Sequence, residues 1–254
     1  MIRRVLAFMT GSLLLMPLVL LIVLSWARHW SWPGLLPTQW QTWQWRELLA
    51  HSGSLGAIVV RSLELSVLVA ILATTLGFPS SRSVARHPRQ GPLLALLHVP
   101  FAVSQVVLGV SLLYLFLRLN LAGHLIGVLL AQLTFAYAYS VILLSEFWNT
   151  RVLMLEELAI ALGATRRQVW ARVLLPAARP LLSVCLLQTF LISWFDYALI
   201  SLIGAGRITT LTVSLYQYFS AGDIRLAATC ALLLLVPPLL ALGVLRAGVE
   251  SLDD

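Results

Sequence analysis

Lysine is absent from these 254 residues, and all 17 basic side chains are Arg. A P-loop needs a Lys that reaches the β- and γ-phosphates, so any ATP chemistry linked to this chain belongs to another one. Charge of either sign is scarce. Charged residues make up 11% and hydrophobic residues 60%, whereas a soluble domain carries about 25% charged residues. The two cysteines, Cys185 and Cys230, lie in apolar runs without metal-ligand spacing and read as packing residues. No cluster of His, Asp, Glu or nucleophilic Ser suggests a membrane-embedded enzyme, and neither a cofactor nor a metal is expected. No internal repeat is visible. Inside the apolar runs Asp196 is nearly alone as an ionisable group. A stand-alone secondary transporter, the alternative reading for a membrane carrier, needs several such groups to couple an ion gradient.

What the chain does have is apolar length. Runs at about 5–26, 55–78, 92–117, 121–144, 181–203 and 226–245 approach the ~20 residues that cross a bilayer as helix. The expectation is an all-α, polytopic helical membrane protein with about six transmembrane helices. The first run follows Arg3 and Arg4 and exceeds the ~7–15 apolar residues of a signal peptide. Leu24-Ser-Trp-Ala27 is a poor cleavage site, which favours a retained helix. Residues 27–54 hold Trp30, Trp32, Trp40, Trp43 and Trp45 beside Pro33 and Pro37. Indoles favour the headgroup zone, so this segment reads as periplasmic or interfacial; a sugar-stacking patch is the other reading.

Arginine sets the orientation. With the N-terminus cytoplasmic, inside segments hold Arg3, Arg4, Arg82, Arg86, Arg89, Arg151, Arg166, Arg167, Arg172, Arg179 and Arg246. Outside segments hold Arg28, Arg46, Arg61, Arg118, Arg207 and Arg225. Both termini are therefore expected inside. This asymmetry accounts for the net charge of +7 without nucleic acid as a partner. Nucleic-acid binding would need stacking aromatics among the inside arginines, and few are there.

Residues 146–180 form a polar island between apolar runs. Read as helix–turn–helix, Glu156 and Glu157 fall in the first turn, at the positive end of the dipole. Leu158, Ala161 and Leu162 make one apolar stripe. Gly163 ends the helix as a left-handed cap, Thr165 caps the next one, and Pro176 and Pro180 stop or kink the chain. Amphipathicity alone allows two roles: a hairpin seated in a partner's groove, or helices lying on the headgroups with Arg toward anionic lipid.

The spacing decides between them. Glu157-x-Ala159-x-x-x-Gly163, nine residues, then Val173-x-Leu175-Pro176 resembles the EAA loop of binding-protein-dependent ABC importer permeases. Gly77-Phe78-Pro79, Val99-Pro100 and Gly109 are softer markers, and the resemblance runs from about Arg61 to about Leu245. It implies the type I importer permease fold. Residues 55–254 would be a five-helix core with a cytoplasmic coupling loop at 146–180, and residues 1–54 an outer N-terminal helix plus the Trp-rich segment. It also implies a bacterial inner membrane, cytoplasmic ABC ATPase subunits gripping the loop, a second permease chain and a periplasmic solute-binding protein. Glu157, Ala159, Gly163, Val173, Leu175 and Pro176 would be the coupling residues. Arg166 and Arg167, by charge and exposure, would be ion-pair partners of the ATPase. Leu158 stands where the family commonly has Ala. The segment Arg207 to Arg225 looks like members that import polyamines, ferric iron, thiamine or small anions, although Thr212 often is Pro there.

Asp196 marks a candidate solute pathway. A carboxylate at mid-membrane costs about 2.5–3.5 kcal/mol on insertion scales. At about 100° per residue, Cys185, Thr189, Ser193 and Asp196 share one narrow sector, with Gln188 on its edge. This stripe is expected to face the bundle interior. It either lines the pathway or has its carboxylate paired inside the protein or wetted near the outer interface.

Overall fold

The computed structural model describes residues 2–29, 39, 40, 45 and 54–253. Trp30, Trp32, Pro33, Pro37 and Trp43 lie outside the described residues. The chain divides into two compact units, residues 1–62 with 209–254, and residues 63–208.

In the first unit, α1 (Ile2–Trp26) is followed by β1 (Ala27–His29), which pairs antiparallel with β2 (Gln39–Trp40). The start of α2 (Ser54–Ala85) also belongs here. Near the C-terminus come α10 (Leu211–Ser220) and α11 (Ile224–Asp253), and α11 packs on both α1 and α10. The Ser62 hydroxyl accepts from the Leu211 N–H at 2.8 Å, and Asp223 accepts from the Leu226 N–H at 3.0 Å. Each supplies a partner to a helix start that would otherwise lack one.

The second unit holds the remainder of α2, then α3 (Gln90–Ala102), α4 (Gln105–Arg118), α5 (Leu125–Ser145), α6 (Thr150–Ala161), α7 (Arg166–Val169), a π-turn (Trp170–Leu174), α8 (Leu175–Trp194) and α9 (Ala198–Ile203). α5 packs along α8, α3 packs on α5, and α9 lies against α4 and α5. Gly77 lets α2 approach α5 closely: a Cβ there would fall 1.9 Å from Ser140 Oγ. That explains the glycine of the Gly77-Phe78-Pro79 marker. Ser140 also donates to the Ala73 carbonyl at 2.7 Å, tying the two helices across the same gap.

Among the described residues, Leu55–Ala85, Leu125–Ser145, Arg166–Trp194 and Ile224–Ala241 are long and apolar enough to span a membrane. Helices α3 and α4 qualify together as a fifth span, bent by 97°. The apolar stretch of α1, Leu15–Trp26, is shorter than these, so four or five of the six expected spans are long enough among the described residues.

Three local expectations are corrected. The α2 helix continues past the end of the 55–78 run, through Pro79 to Ala85, so Arg82 sits in its last turn. Cations are favoured at that end of the dipole. The 92–117 run is two helices, interrupted where Val103 and Ser104 adopt extended backbone. Lastly, Pro176 and Pro180 do not stop the chain: helix runs from Arg166 to Trp194. A proline ring presses on the carbonyl four residues back. The wide turn just before Pro176, closed by the Leu175 N–H donating to the Trp170 carbonyl, absorbs that clash.

Candidate functional site

The island folds as a hairpin fixed by its own caps. Asn149 starts α6, its side chain accepting from the Val152 N–H at 3.1 Å. The helix therefore begins at Thr150, and Glu156 and Glu157 lie mid-helix rather than in the first turn. At the other end Gly163 takes φ of +86°. The Gly163 N–H donates to the Ile160 carbonyl at 2.9 Å and the Ala164 N–H to the Ala159 carbonyl at 3.0 Å. These two bonds make a Schellman cap, and a residue with a Cβ is strained at that φ. Thr165 then opens α7 with a reciprocal capping box to Gln168. Expected cap positions at Gly163 and Thr165 coincide with those observed.

The two faces of α6 differ sharply. Val152 and Glu156 are buried, and Ala159 packs on an aromatic-rich cluster built around Phe78, Leu144, Trp148 and Leu174. On the opposite side Met154, Leu158 and Leu162 are 63%, 57% and 80% exposed. This outward apolar row contains two members of the predicted stripe, Leu158 and Leu162; the third, Ala161, is exposed as well.

Glu156 anchors the hairpin. Its carboxylate pairs with Arg82, in the last turn of α2, and at 2.6 Å with Arg86, just past the helix end. The Arg82 guanidinium also lies 5.3 Å from the Trp170 ring centre and 5.6 Å from that of Trp148. Trp148 Nε1 donates to Ser81 Oγ at 2.8 Å, and Phe78 packs against Phe147, Trp148 and Trp170. Such ring pairs each contribute ~0.5–1.5 kcal/mol beyond burial. The motif points instead to the neighbouring Glu157, which is exposed. Two signals point to Glu156: it shares a face with Val152 one turn earlier, and Arg82 and Arg86 are themselves one turn apart.

Glu157, Ala159, Gly163, Arg166 and Arg167 thus come together on one hairpin, the two arginines exposed in the first turn of α7. Val173 is half-buried in the π-turn. Leu175 is exposed and Pro176 half-buried at the start of α8, on the helix leading away.

The stripe on α8 lies at the other end of that helix. Cys185, Thr189, Ser193 and Asp196 are all buried, facing α2 and α5 as the wheel predicts, and Gln188 is exposed. Gln132 on α5 donates to Asp196 at 3.0 Å and accepts from Ser193 Oγ at 2.9 Å. Ser193 reaches Ser66 at 3.3 Å, and Thr189 lies 3.5 Å from Thr74. Asp196 also accepts from the Leu199 N–H at 3.3 Å, capping α9. The carboxylate thereby ties α8, α5 and α9. No group of His, Cys, Asp and Glu able to hold a metal ion occurs among the described residues.

Comparison with known proteins agrees with this architecture. A family model described as "Binding-protein-dependent transport system inner membrane component" matches residues 66–250. The spermidine/putrescine transport system permease protein PotC of Escherichia coli K12 is 28% identical over 247 residues, covering 92% of this chain and 91% of that one. PotC of Haemophilus influenzae is 24% identical over 226 residues, 87% of this chain and 86% of that one. The putrescine transport system permease protein PotI of Escherichia coli K12 is 27% identical over 235 residues, 87% of this chain and 80% of that one. Those matches set aside the stand-alone secondary transporter. The chain belongs to the family of binding-protein-dependent transport system inner membrane components, and it is a multi-pass permease subunit of an ABC importer.

Proposed function

We propose that this permease is driven through the 146–180 hairpin by a separate cytoplasmic ABC ATPase subunit, and that its solute is a small charged molecule, polyamines being the first class to test. One observation carries the coupling half. The hairpin is clamped to α2 by Glu156 and turns its apolar Leu158 and Leu162 row outward, away from the chain. An exposed apolar row on a helix rigidly tied to the membrane core suits a partner's groove. Force applied to the row passes through Glu156 into α2 and through the π-turn into α8. Of the two exposed arginines that open α7, Arg167 is the ion-pair partner for the ATPase, while Arg166 lines a cleft toward α2; Glu157 and Gly163 set the hairpin's geometry.

The remaining assignments follow from that reading. The hairpin is cytoplasmic, with both chain termini on the same side. Residues 55–254 form the core, while α1 and the Trp-rich segment within 1–54 lie outside it. A second permease chain completes the pore, and a periplasmic solute-binding protein delivers cargo. In the pathway, solute first meets Gln188, since a polar side chain exposed on a spanning helix suits a wet cavity better than lipid. Thr189, Ser193 and Asp196 shape the wall behind it. The polyamine suggestion rests on the names of the PotC and PotI relatives.

Reconstitution tests this. In liposomes with its ATPase, sister permease and binding protein, the chain should take up labelled spermidine or putrescine only when ATP is supplied. Asp196→Asn should alter uptake while leaving ATPase capture intact. Uptake by the chain alone without ATP would overturn the coupling assignment. ATP-dependent uptake of another solute, with none of polyamine, would overturn only the solute class.

A further inference from the structure

Between the hairpin and the end of α2 lies a cleft of about 330 Å³ lined by Arg82, Arg86, Glu156, Ile160, Ala164, Arg166 and Val169. Its charge is unbalanced. Arg82, Arg86 and Arg166 stand against the single carboxylate of Glu156, already shared by two of them. Arg82 is 9% exposed, and its Nε is buried without a hydrogen-bond partner among the described residues. A buried guanidinium N–H left unpaired is costly; that Nε is closed to solvent, and it is the surplus of cations lining the cleft that calls for an anion.

The position of the cleft selects its occupant. On the α6 wheel Ile160 lies about 40° from Glu156, whereas Leu158 and Leu162 lie about 200° and 240° away. The cleft therefore opens on the face turned toward α2, opposite the apolar row assigned to the ATPase. Arg82 lies in the last turn, and Arg86 just past the end, of a helix long and apolar enough to span a membrane, and lipid phosphates sit at the ends of such spans. Basic pockets between helix ends at that level take anionic headgroups, and a planar guanidinium matches a phosphate's paired oxygens. Ile160, Ala164 and Val169 supply an apolar wall for the glycerol backbone.

We propose that this cleft binds the phosphate of an anionic membrane lipid, which bridges α2 to the hairpin beside the Glu156 clamp. The lipid completes the cation-rich junction from the membrane side. It takes up Arg166 and leaves Arg167 and the outer row free for the ATPase.

Lipid binding to the purified full chain in detergent, read by native mass spectrometry, tests this without any partner subunit. Phosphatidylglycerol should be retained over phosphatidylcholine. Arg86→Gln and Arg166→Gln should each weaken retention roughly fivefold, and Arg167→Gln, outside the cleft, should not. Arg166 makes no ion pair among the described residues, so its variant keeps the fold even if Arg86→Gln loosens the hairpin. Equal retention of the two lipids, or full retention by Arg166→Gln, overturns the proposal. Displacement of phosphatidylglycerol by equimolar inorganic phosphate would make this a free-phosphate site, and displacement by the ATPase would make it a protein contact; either result also overturns it.

Discussion

Glu156 and Asp196 are both buried carboxylates, 5% exposed each, yet they are satisfied in opposite ways. Glu156 sits between two guanidiniums at the hairpin end of α2. Asp196, at the far end of α8, is held by the amide of Gln132 and by backbone N–H at the start of α9. The first arrangement is ionic and joins elements distant in sequence at a boundary with water. The second is a network of uncharged donors inside the apolar bundle, shared among Ser66, Gln132 and Ser193. The contrast suits the role proposed for the hairpin. A clamp meant to transmit force needs strong, oriented pairs, and arginines can be held at a span's end at modest cost. In mid-bundle another charge would be expensive, so small hydroxyls and one amide take its place.

Mutations can break that comparison. Glu156→Gln leaves Arg82 buried without its counter-charge, and should cost ~3–5 kcal/mol by the usual penalty for a broken buried pair. Thermal unfolding of the detergent-solubilised chain checks this. Asp196→Asn keeps one acceptor oxygen for Gln132 or Leu199 and should cost less, ~1–3 kcal/mol. A larger loss for Asp196→Asn than for Glu156→Gln would reverse the ranking and with it the assignment of the clamp to the hairpin end. Gly163→Ala should lose ~1–2 kcal/mol, because a Cβ opposes the left-handed backbone. Thr165→Ala, which removes the capping box, should lose ~1 kcal/mol. Smallest of all, Leu162→Ser should change stability by under ~0.5 kcal/mol, since that side chain is 80% exposed. It should nonetheless weaken capture of the ATPase, a separation of stability from binding that only an outward docking face produces.

Much of this was legible in the sequence, for physical reasons that differ by element. Long apolar runs declare helices by length, and Gly163 and Thr165 declare caps by residue type. The 185–196 stripe follows from helical periodicity, because residues four apart must share a face. Glu156 was hidden because its partners lie 70 and 74 residues away. Local reading instead favours the adjacent Glu157 of the motif and counts Arg82 and Arg86 only as charges on the inner side. The course of helix through Pro176 was hidden as well. Proline rules forecast a break, and the π-turn that relieves the clash has no residue signature of its own. Pro100 marks a bend in the 92–117 run, but the break itself falls three residues later, at Val103-Ser104.

The central claim is that the outward face of the 146–180 hairpin seats an ATPase. Single cysteines at Leu158, Leu162 and Gln188 test it most directly, with little background because Cys185 and Cys230 are buried. Crosslinking in native membranes should join an ATP-hydrolysing subunit to Leu158→Cys and Leu162→Cys, and not to Gln188→Cys. Failure at both hairpin positions, or capture at Gln188→Cys instead, would contradict the account.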